Sequence, residues 1–182
     1  ELVINDRIVG GLDDEASRVV SDFYRSFVTG SVLETNARTA EMCKLTENSY
    51  RDVNIAFANE ISMICEAEKI DTSELIALAN RHPRVDILHP GPGVGGHCIA
   101  VDPWFLVSKY PELARLIDAG RNVNLSKTEW VVNQIVDAFM EQGSEYKGVC
   151  LFGLTFKADV DDVRQSPAKQ IALSLQKHGI PL

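Results

Sequence analysis

The first 35 residues alternate between short apolar runs and one amphipathic stretch. Residues 7–11 form a compact run typical of a strand, and apolar side chains then recur at helical spacing through residues 19–27. Acidic residues at 13–15 precede that stretch, where the helix macrodipole favours negative charge, and Gly30 ends it. The pattern therefore predicts a strand, a helix and a second strand over residues 1–35.

The next segment has a long helical pattern. Residues 36–70 contain neither Pro nor Gly, and apolar side chains recur throughout. The pattern predicts one helix, well above the average length of ~11–12 residues. A helix this long with apolar residues on more than one face usually packs against several partners, including a second subunit. A capping pattern at 71–74 predicts another helix that runs to about Arg81.

The remaining sequence mixes loop, helix and strand patterns. Residues 82–102 form a loop, after which Pro103 stands where a helical first turn accepts it. Apolar positions predict a further helix over residues 111–142, and the β-branched run 147–154 predicts a buried parallel strand. An amphipathic helix follows Ser166. A strand, loop and helix in this order are typical of a doubly wound domain, which binds ligands beyond its strand ends.

These patterns divide the chain into three pieces, residues 1–35, 36–143 and 144–182. The middle piece is predicted to be helical, and the outer two are predicted to be parts of Rossmann-like α/β domains. The sequence begins without Met and stops just after a predicted helix. We therefore expect a mainly α fragment of a larger α/β protein.

Composition narrows the class of protein. The 182 residues are 45% hydrophobic and 24% charged, as is ordinary for soluble globular proteins, and the formal net charge of −8 argues against a general nucleic-acid binder. The sequence contains no signal peptide and no apolar run long enough to span a bilayer. Its four cysteines are widely spaced, which favours reduced thiols in a cytoplasmic protein over a zinc site or disulfide framework.

The loop around Cys98 is the strongest candidate for chemistry. Cys98 follows a run of Gly and Pro, and Asp102 lies four residues later. Such a loop lets backbone N–H groups approach a ligand closely. A thiol there, with a carboxylate nearby, is typical of covalent catalysis in which Cys attacks a carbonyl carbon. A buried, inert Cys beside a structural turn fits the same pattern.

Two pairs of polar residues suggest sites for anionic groups. Lys44 and Asn48 stand one helical turn apart on the same face, as an oxyanion site would require, but a solvated Lys beside an incidental Asn has the same spacing. Lys157 and Arg164 lie beyond the predicted strand, which suits an anionic ligand or local salt bridges equally.

Two further residues have weaker signals. Arg84, in the predicted loop, could reach a phosphate or simply be exposed. His97 could activate the adjacent Cys98, although neighbours in sequence usually point apart.

Four runs together resemble the UDP-glucose/GDP-mannose dehydrogenase family of nucleotide-sugar 6-dehydrogenases. They are residues 7–11, 41–48, 95–102 and 153–167, and their order and separation agree with the family across nearly the whole chain. The sequence of residues 91–105 looks most like the branch of the family that acts on UDP-N-acetyl-D-mannosamine. Members of the UDP-N-acetylglucosamine branch have a similar sequence there. UDP-glucose enzymes have Pro-Lys-Asp after the Cys, where this chain has Ala-Val-Asp, which is consistent with an N-acetylated sugar.

The resemblance implies a four-electron oxidation of the sugar C6 alcohol to a carboxylate, using two NAD⁺ and water. Cys98 would attack the C6 aldehyde as a thiolate, and oxidation of the thiohemiacetal would give a thioester. Lys44 and Asn48 would stabilise the oxyanions, which is often the largest catalytic contribution. Asp102 would position or activate the hydrolytic water.

The resemblance also implies binding residues and partners. The substrate-binding candidates are Arg84, Gly95, Gly96, His97, Lys157 and Arg164. Arg84 would reach a neighbouring subunit's substrate, and Lys157 and Arg164 are also candidates for cofactor binding. The long helix would form a homodimer interface, no metal is implied, and the product would be a precursor of cell-surface polysaccharide.

One family feature is absent, and two other functions fit part of the pattern. The Gly-rich dinucleotide fingerprint, which family members carry nearer their N-terminus, is missing, so we expect no turnover by these 182 residues alone. A non-catalytic helical dimerisation module could retain the Cys motif. A thiol hydrolase could use Cys98 with His97 and would not need NAD⁺. Labelling distinguishes the dehydrogenase from the dimerisation module, because a nucleophilic Cys98 should react with iodoacetamide before the other cysteines.

Overall fold

The structure, a computed structural model, describes residues 1–143 and 147–182. Its elements are β1 (Arg7–Gly11), α1 (Asp14–Arg25), β2 (Val32–Asn36), α2 (Ala37–Glu68), α3 (Thr72–Ala79), α4 (Asp102–Lys109), α5 (Arg115–Gln142) and α6 (Pro167–Lys177). The mainly helical fold predicted for the chain is confirmed. The described residues form two compact units, Glu1–Glu47 and Asn48–Leu182, and the boundary falls within α2.

The first unit contains a parallel pair of strands. β1 and β2 pair in register from Arg7 opposite Val32 to Gly11 opposite Asn36, with α1 as the connection. Asp13 caps α1, because its carboxylate accepts a hydrogen bond from the backbone N–H of Ala16 at 2.7 Å. The predicted order of strand, helix and strand is therefore confirmed.

The long helix predicted after residue 36 is confirmed as α2. The next helix, α3, begins where the capping pattern predicts, since the Asp71 carboxylate accepts from the backbone N–H groups of Ser73 and Glu74 at 2.8 and 3.0 Å. α5 begins later than predicted, because the N–H groups of Leu113 and Ala114 bond to the carbonyl of Tyr110 and form a separate turn. No helix in the described residues is long and apolar enough to cross a membrane.

The strand predicted over residues 147–154 is wrong. A strand needs a neighbour to receive its backbone hydrogen bonds, and no other strand pairs with this run among the described residues. Among the described residues, its one backbone-to-backbone hydrogen bond to another segment runs from the N–H of Val149 to the carbonyl of Pro181 at 2.9 Å. Gly153 turns the backbone at a φ of 95°. The predicted domain boundary after residue 143 borders residues 144–146, which lie outside the described part.

The apolar core of the second unit lies between α5 and α6. Val132 of α5 packs with Ile171 and Leu175 of α6 and with Ile180 beyond it, and all four are buried. Ser166 caps α6, and Pro167 occupies its first turn, so the helix predicted after Ser166 is confirmed. This core fixes α6, and the segment that leads into it, against α5.

Replacing Leu175 by Ala should lower the free energy of unfolding by about 3 kcal/mol, because a fully buried Leu loses its transfer free energy and leaves a cavity. Leu173→Ala is the matched control on the same helix: Leu173 is 50% exposed, and its replacement should change stability by no more than about 0.5 kcal/mol. Urea denaturation measures both. Equal losses in the two variants would contradict the packing of α6 on α5.

Candidate active site

Cys98 lies at the junction between the Gly-rich loop and α4. Its carbonyl accepts hydrogen bonds from the N–H groups of Val101 and Asp102 at 3.0 and 2.8 Å, so Cys98 stands one turn before the helix begins. Pro103 occupies the first turn of α4, as predicted. Cys98 is partly buried, whereas Cys150 is exposed. The loop thus ends in a defined turn that fixes the backbone at the thiol.

Asn48 of α2 is brought directly to Asp102. Its side-chain N–H donates to the Asp102 carboxylate at 2.5 Å, and Asn48 is only 3% exposed. Two residues that the sequence predicts for one site, 54 positions apart, are therefore in contact. An Asn amide carries two N–H donors, so one remains beyond the bond to Asp102. That donor is the kind of group that stabilises an oxyanion.

A second cluster joins His97 to the segment before α6. The Arg164 guanidinium donates hydrogen bonds to the Asp162 carboxylate. Its Nε lies 3.0 Å from each carboxylate oxygen, and its Nη2 lies 2.7 Å from Oδ2. The same Nη2 lies 3.3 Å from Nδ1 of His97. Hydrogen bonds from Arg164 lower the pKa of Asp162 to about 2. The hydrogen bond to the Asp162 carboxylate raises the pKa of Arg164.

The glycines of the loop allow it to pack closely against this segment. A Cβ on Gly95 would lie 2.6 Å from the carbonyl oxygen of Gln165 and 2.6 Å from Cβ of Phe156. Gly96 has a φ of 89°, and its N–H donates to the carbonyl of Arg164 at 3.2 Å. The predicted run 95–102 and the predicted run 153–167 therefore meet along their backbones.

The remaining predicted residues stand apart from these contacts. Lys44 belongs to the first unit, where its ammonium lies 3.6 Å from the Glu47 carboxylate and both side chains are exposed. Arg84 and Lys157 are exposed, and neither side chain has a hydrogen bond or ion pair within the described residues. No three metal-binding side chains of the His, Cys, Asp or Glu types gather anywhere in that part of the chain.

Sequence reasoning missed a buried polar network between α2 and α5. Nη1 of Arg121 donates to the Asp52 carboxylate at 2.6 Å, and the Asn124 amide donates to the same carboxylate at 2.9 Å. Asp52 is fully buried and Arg121 is 2% exposed. Burial raises the pKa of Asp52, and this outweighs the lowering by Arg121 and Asn124.

The network reaches the Gly-rich loop through two side chains. The side-chain N–H of Asn59 donates to Oδ1 of Asn124 at 2.8 Å, and Oδ1 of Asn59 accepts from the N–H of Gly91 at 2.8 Å. The Thr128 hydroxyl donates to the carbonyl of Pro92 at 2.7 Å. The sequence contains the signal: the polar positions 48, 52 and 59 share one face of α2, and 121, 124 and 128 share one face of α5.

Known proteins are similar to this chain over most of its length. Residues 38–126 match the central domain of the UDP-glucose/GDP-mannose dehydrogenase family. A UDP-N-acetyl-D-mannosamine dehydrogenase of Yersinia pestis is 57% identical over 94% of this chain and 42% of its own length. An NDP-N-acetyl-D-galactosaminuronic acid dehydrogenase of Ralstonia solanacearum is 54% identical over 96% of this chain and 41% of its own.

A solved structure has the same fold. The UDP-N-acetyl-mannosamine dehydrogenase of Staphylococcus aureus is 48% identical with a TM-score of 0.84, over 97% of this chain and 41% of that one. The chain belongs to the UDP-glucose/GDP-mannose dehydrogenase family, and the resemblance seen in the sequence is confirmed. It spans about two fifths of the length of the curated relatives that it matches.

The Asp162–Arg164 pair should respond to acid. Because the pKa of Asp162 is lowered to about 2 in the folded protein, from the ordinary 3.8, its stabilising contribution is present above pH 3.8 and is lost as the pH falls towards 2. Asp162→Asn should therefore destabilise the protein at about pH 5 and much less at about pH 2. Asp161→Asn removes a similar charge one residue away and is the control. Urea denaturation across this range measures the difference, and a gap that does not shrink in acid would contradict the pair.

Proposed function

We propose that this chain carries the nucleophile-bearing part of an NAD-dependent nucleotide-sugar 6-dehydrogenase. The observation that carries the proposal is the placement of Cys98 one turn before Asp102, with Asn48 bonded to Asp102 from the neighbouring helix. A thiol, an amide donor and a carboxylate are the groups that a thioester route needs. The family match and the names of the relatives support the same assignment.

In this proposal, the C6 alcohol is oxidised to an aldehyde that the Cys98 thiolate attacks, forming a carbon–sulfur bond. Removal of a hydride from the thiohemiacetal gives a thioester, and water releases the carboxylic acid and restores the thiol. The Asn48 amide and Lys44 bind the oxyanions that form at C6. The Asp102 carboxylate orients the hydrolytic water and accepts its proton. NAD⁺ supplies the acceptor for the two hydrides, each carrying two electrons.

Arg164 and Lys157 are proposed to bind phosphate groups of the nucleotide sugar or the cofactor. Both are exposed cations on the segment that contacts the Gly-rich loop. Asp162 holds the Arg164 guanidinium in one orientation beside His97, which is the pre-organisation that a phosphate site requires. Gly95, Gly96 and His97 would meet the sugar from the loop, and Arg84 would reach a substrate held by a second subunit.

The proposed substrate is UDP-N-acetyl-D-mannosamine. The names of the relatives support an N-acetylated sugar, since the Yersinia pestis protein is named for N-acetylmannosamine and the Ralstonia solanacearum protein for N-acetylgalactosaminuronic acid. Ala100 and Val101 support it as well, because they stand where UDP-glucose enzymes have Pro-Lys, so the cation that those enzymes place near the Cys is absent here. UDP-N-acetylglucosamine and UDP-glucose are the alternatives.

The chain joined to the flanking segments of the Yersinia pestis relative should form two NADH per UDP-N-acetylmannosamine consumed. The ratio follows from two hydride transfers through one thioester, and absorbance of NADH with chromatography of the sugar measures it. Cys98→Ser should lower kcat by about 10²-fold or more, because a hydroxyl without an adjacent base is a poor nucleophile. Cys150→Ser, at an exposed position, is the control and should retain full activity.

Other outcomes separate the alternatives. One NADH per sugar, or an active Cys98→Ser variant, would contradict the thioester route. Turnover of a different UDP-sugar would keep the reaction and overturn the proposed substrate. No turnover, together with a Cys98 that iodoacetamide labels no faster than Cys150, would favour the non-catalytic module. Release of product by a thiol hydrolase would occur without NAD⁺.

We also propose that α2 forms a homodimer interface. Tyr50, Phe57 and Ile64 are 70%, 51% and 51% exposed and are spaced seven residues apart, so they form a stripe along one face. Large apolar side chains that recur every seventh residue suit helix-to-helix packing with a second copy.

Phe57→Lys should convert the dimer into a monomer, because a charge at the centre of the stripe would have to be buried without a partner. Leu78→Lys introduces the same charge at an exposed position of α3 and should leave the dimer intact. Sedimentation velocity distinguishes the two states. A dimer that tolerates Phe57→Lys, or a monomeric wild-type protein, would contradict this interface.

A further inference from the structure

The first residues of the Gly-rich loop are tied to two helices by side chains. Asn59 of α2 accepts from the N–H of Gly91 at 2.8 Å, and Thr128 of α5 donates to the carbonyl of Pro92 at 2.7 Å. These bonds engage adjacent backbone groups that have no partner in regular secondary structure. The next residue, Gly93, has a φ of 136° and lies so close to the Thr128 hydroxyl that no Cβ would fit.

One of the two tying side chains, that of Asn59, is itself held in place by a buried network. The Asn59 amide donates to Asn124 at 2.8 Å, and Asn124 donates to the Asp52 carboxylate, which also receives Arg121. All four of these residues are buried, so their rotamers are fixed by packing as well as by hydrogen bonds. The network therefore holds the side-chain oxygen of Asn59, Oδ1, in one orientation towards the loop.

The far end of the loop returns to the same face of α2. Asn48 bonds to Asp102 at 2.5 Å, and Asn48 precedes Asn59 by eleven residues, which is about three turns of an α-helix. Both ends of the segment from Gly91 to Asp102 are thus attached to one face of one helix. Cys98 lies within this attached segment.

We propose that Thr128 and Asn59 are positioning residues that set the place of Cys98 by fixing the start of its loop. The inference rests on the proposed function, in which Cys98 is the nucleophile. A segment with four glycines loses much conformational entropy on ordering, so it needs external bonds to adopt one path. Neither residue contacts the reacting atoms, and each acts through the backbone between residues 91 and 98.

A pair of variants at Thr128 isolates the hydrogen bond. Thr128→Val keeps the branched shape and removes the hydroxyl, whereas Thr128→Ser keeps the hydroxyl and removes the methyl group. In the active protein with flanking segments, Thr128→Val should lower kcat about fivefold, the factor expected for one neutral hydrogen bond, with less effect on KM. Thr128→Ser should stay within about twofold of wild type. Asn59→Ala should act in the same direction as Thr128→Val.

Hydrogen exchange of the 182-residue chain tests the same bonds without turnover. Thr128→Val should increase the exchange rate of backbone amides in residues 91–98, because the loop opens more often once its start is released. Amides of the α5–α6 core, around Val132 and Leu175, should be unchanged. Thr128→Ser should show the wild-type pattern in both regions.

The two measurements separate failure of the inference from failure of the proposed function. Faster exchange confined to 91–98, with kcat restored by Ser, supports the positioning role. If Thr128→Val exchanges faster at residues 91–98 but the wild-type protein with flanking segments forms no NADH, the hydrogen bonds still fix the loop and the proposed function is overturned. Unchanged exchange in Thr128→Val, an equal loss of kcat in Thr128→Ser, or faster exchange throughout the second unit would overturn the positioning role.

Discussion

The buried pair of Arg121 and Asp52 is the constraint around which the second unit is arranged. Two ionised groups removed from water must satisfy each other, and here one oxygen of Asp52 receives both Arg121 and Asn124. This fixes the register of α5 against α2, because a shift of one residue would separate the partners. Lys127 of α5 lies along the same contact between the two helices, where its ammonium group donates to the Ser62 hydroxyl of α2 at 2.8 Å. The helices that carry the site are therefore aligned by polar contacts.

The alignment matters because the site is assembled from segments that have little structure of their own. The Gly-rich loop contributes Cys98, the first residue of α4 contributes the Asp102 carboxylate, and the segment leading into α6 contributes Arg164. The apolar packing of Leu175 holds α6 against α5 and so sets the approach of the Arg164 segment to the loop. The same packing of α6 on α5 therefore contributes both to the stability of the fold and to the position of Arg164 in the proposed site.

Local patterns predicted most of the fold, and motifs predicted most of the candidate site. The caps at Asp13 and Asp71 and the helical spacing in α2 depend on residues a few positions apart, so the sequence alone predicts them. The failed strand at 147–154 depended on a partner strand, which local composition cannot supply. Asp52 and Arg121 were missed because charged residues on helices are usually solvated, and only tertiary packing shows that these two are buried.

The free-energy cost of burying the polar network between α2 and α5 points to a role other than stability. Burial raises the pKa of Asp52 in spite of Arg121, so the carboxylate form of Asp52 is less favoured here than in water. In proteins generally, well-packed apolar side chains often replace a buried ion pair with no loss of stability. Apolar contacts are non-directional and would not hold a backbone N–H and a carbonyl at adjacent loop positions. A directional bond can, and Asn59 and Thr128 make such bonds to Gly91 and Pro92. We infer that the buried polar network between α2 and α5 lowers the stability of the fold but holds the loop that carries Cys98 in a single conformation.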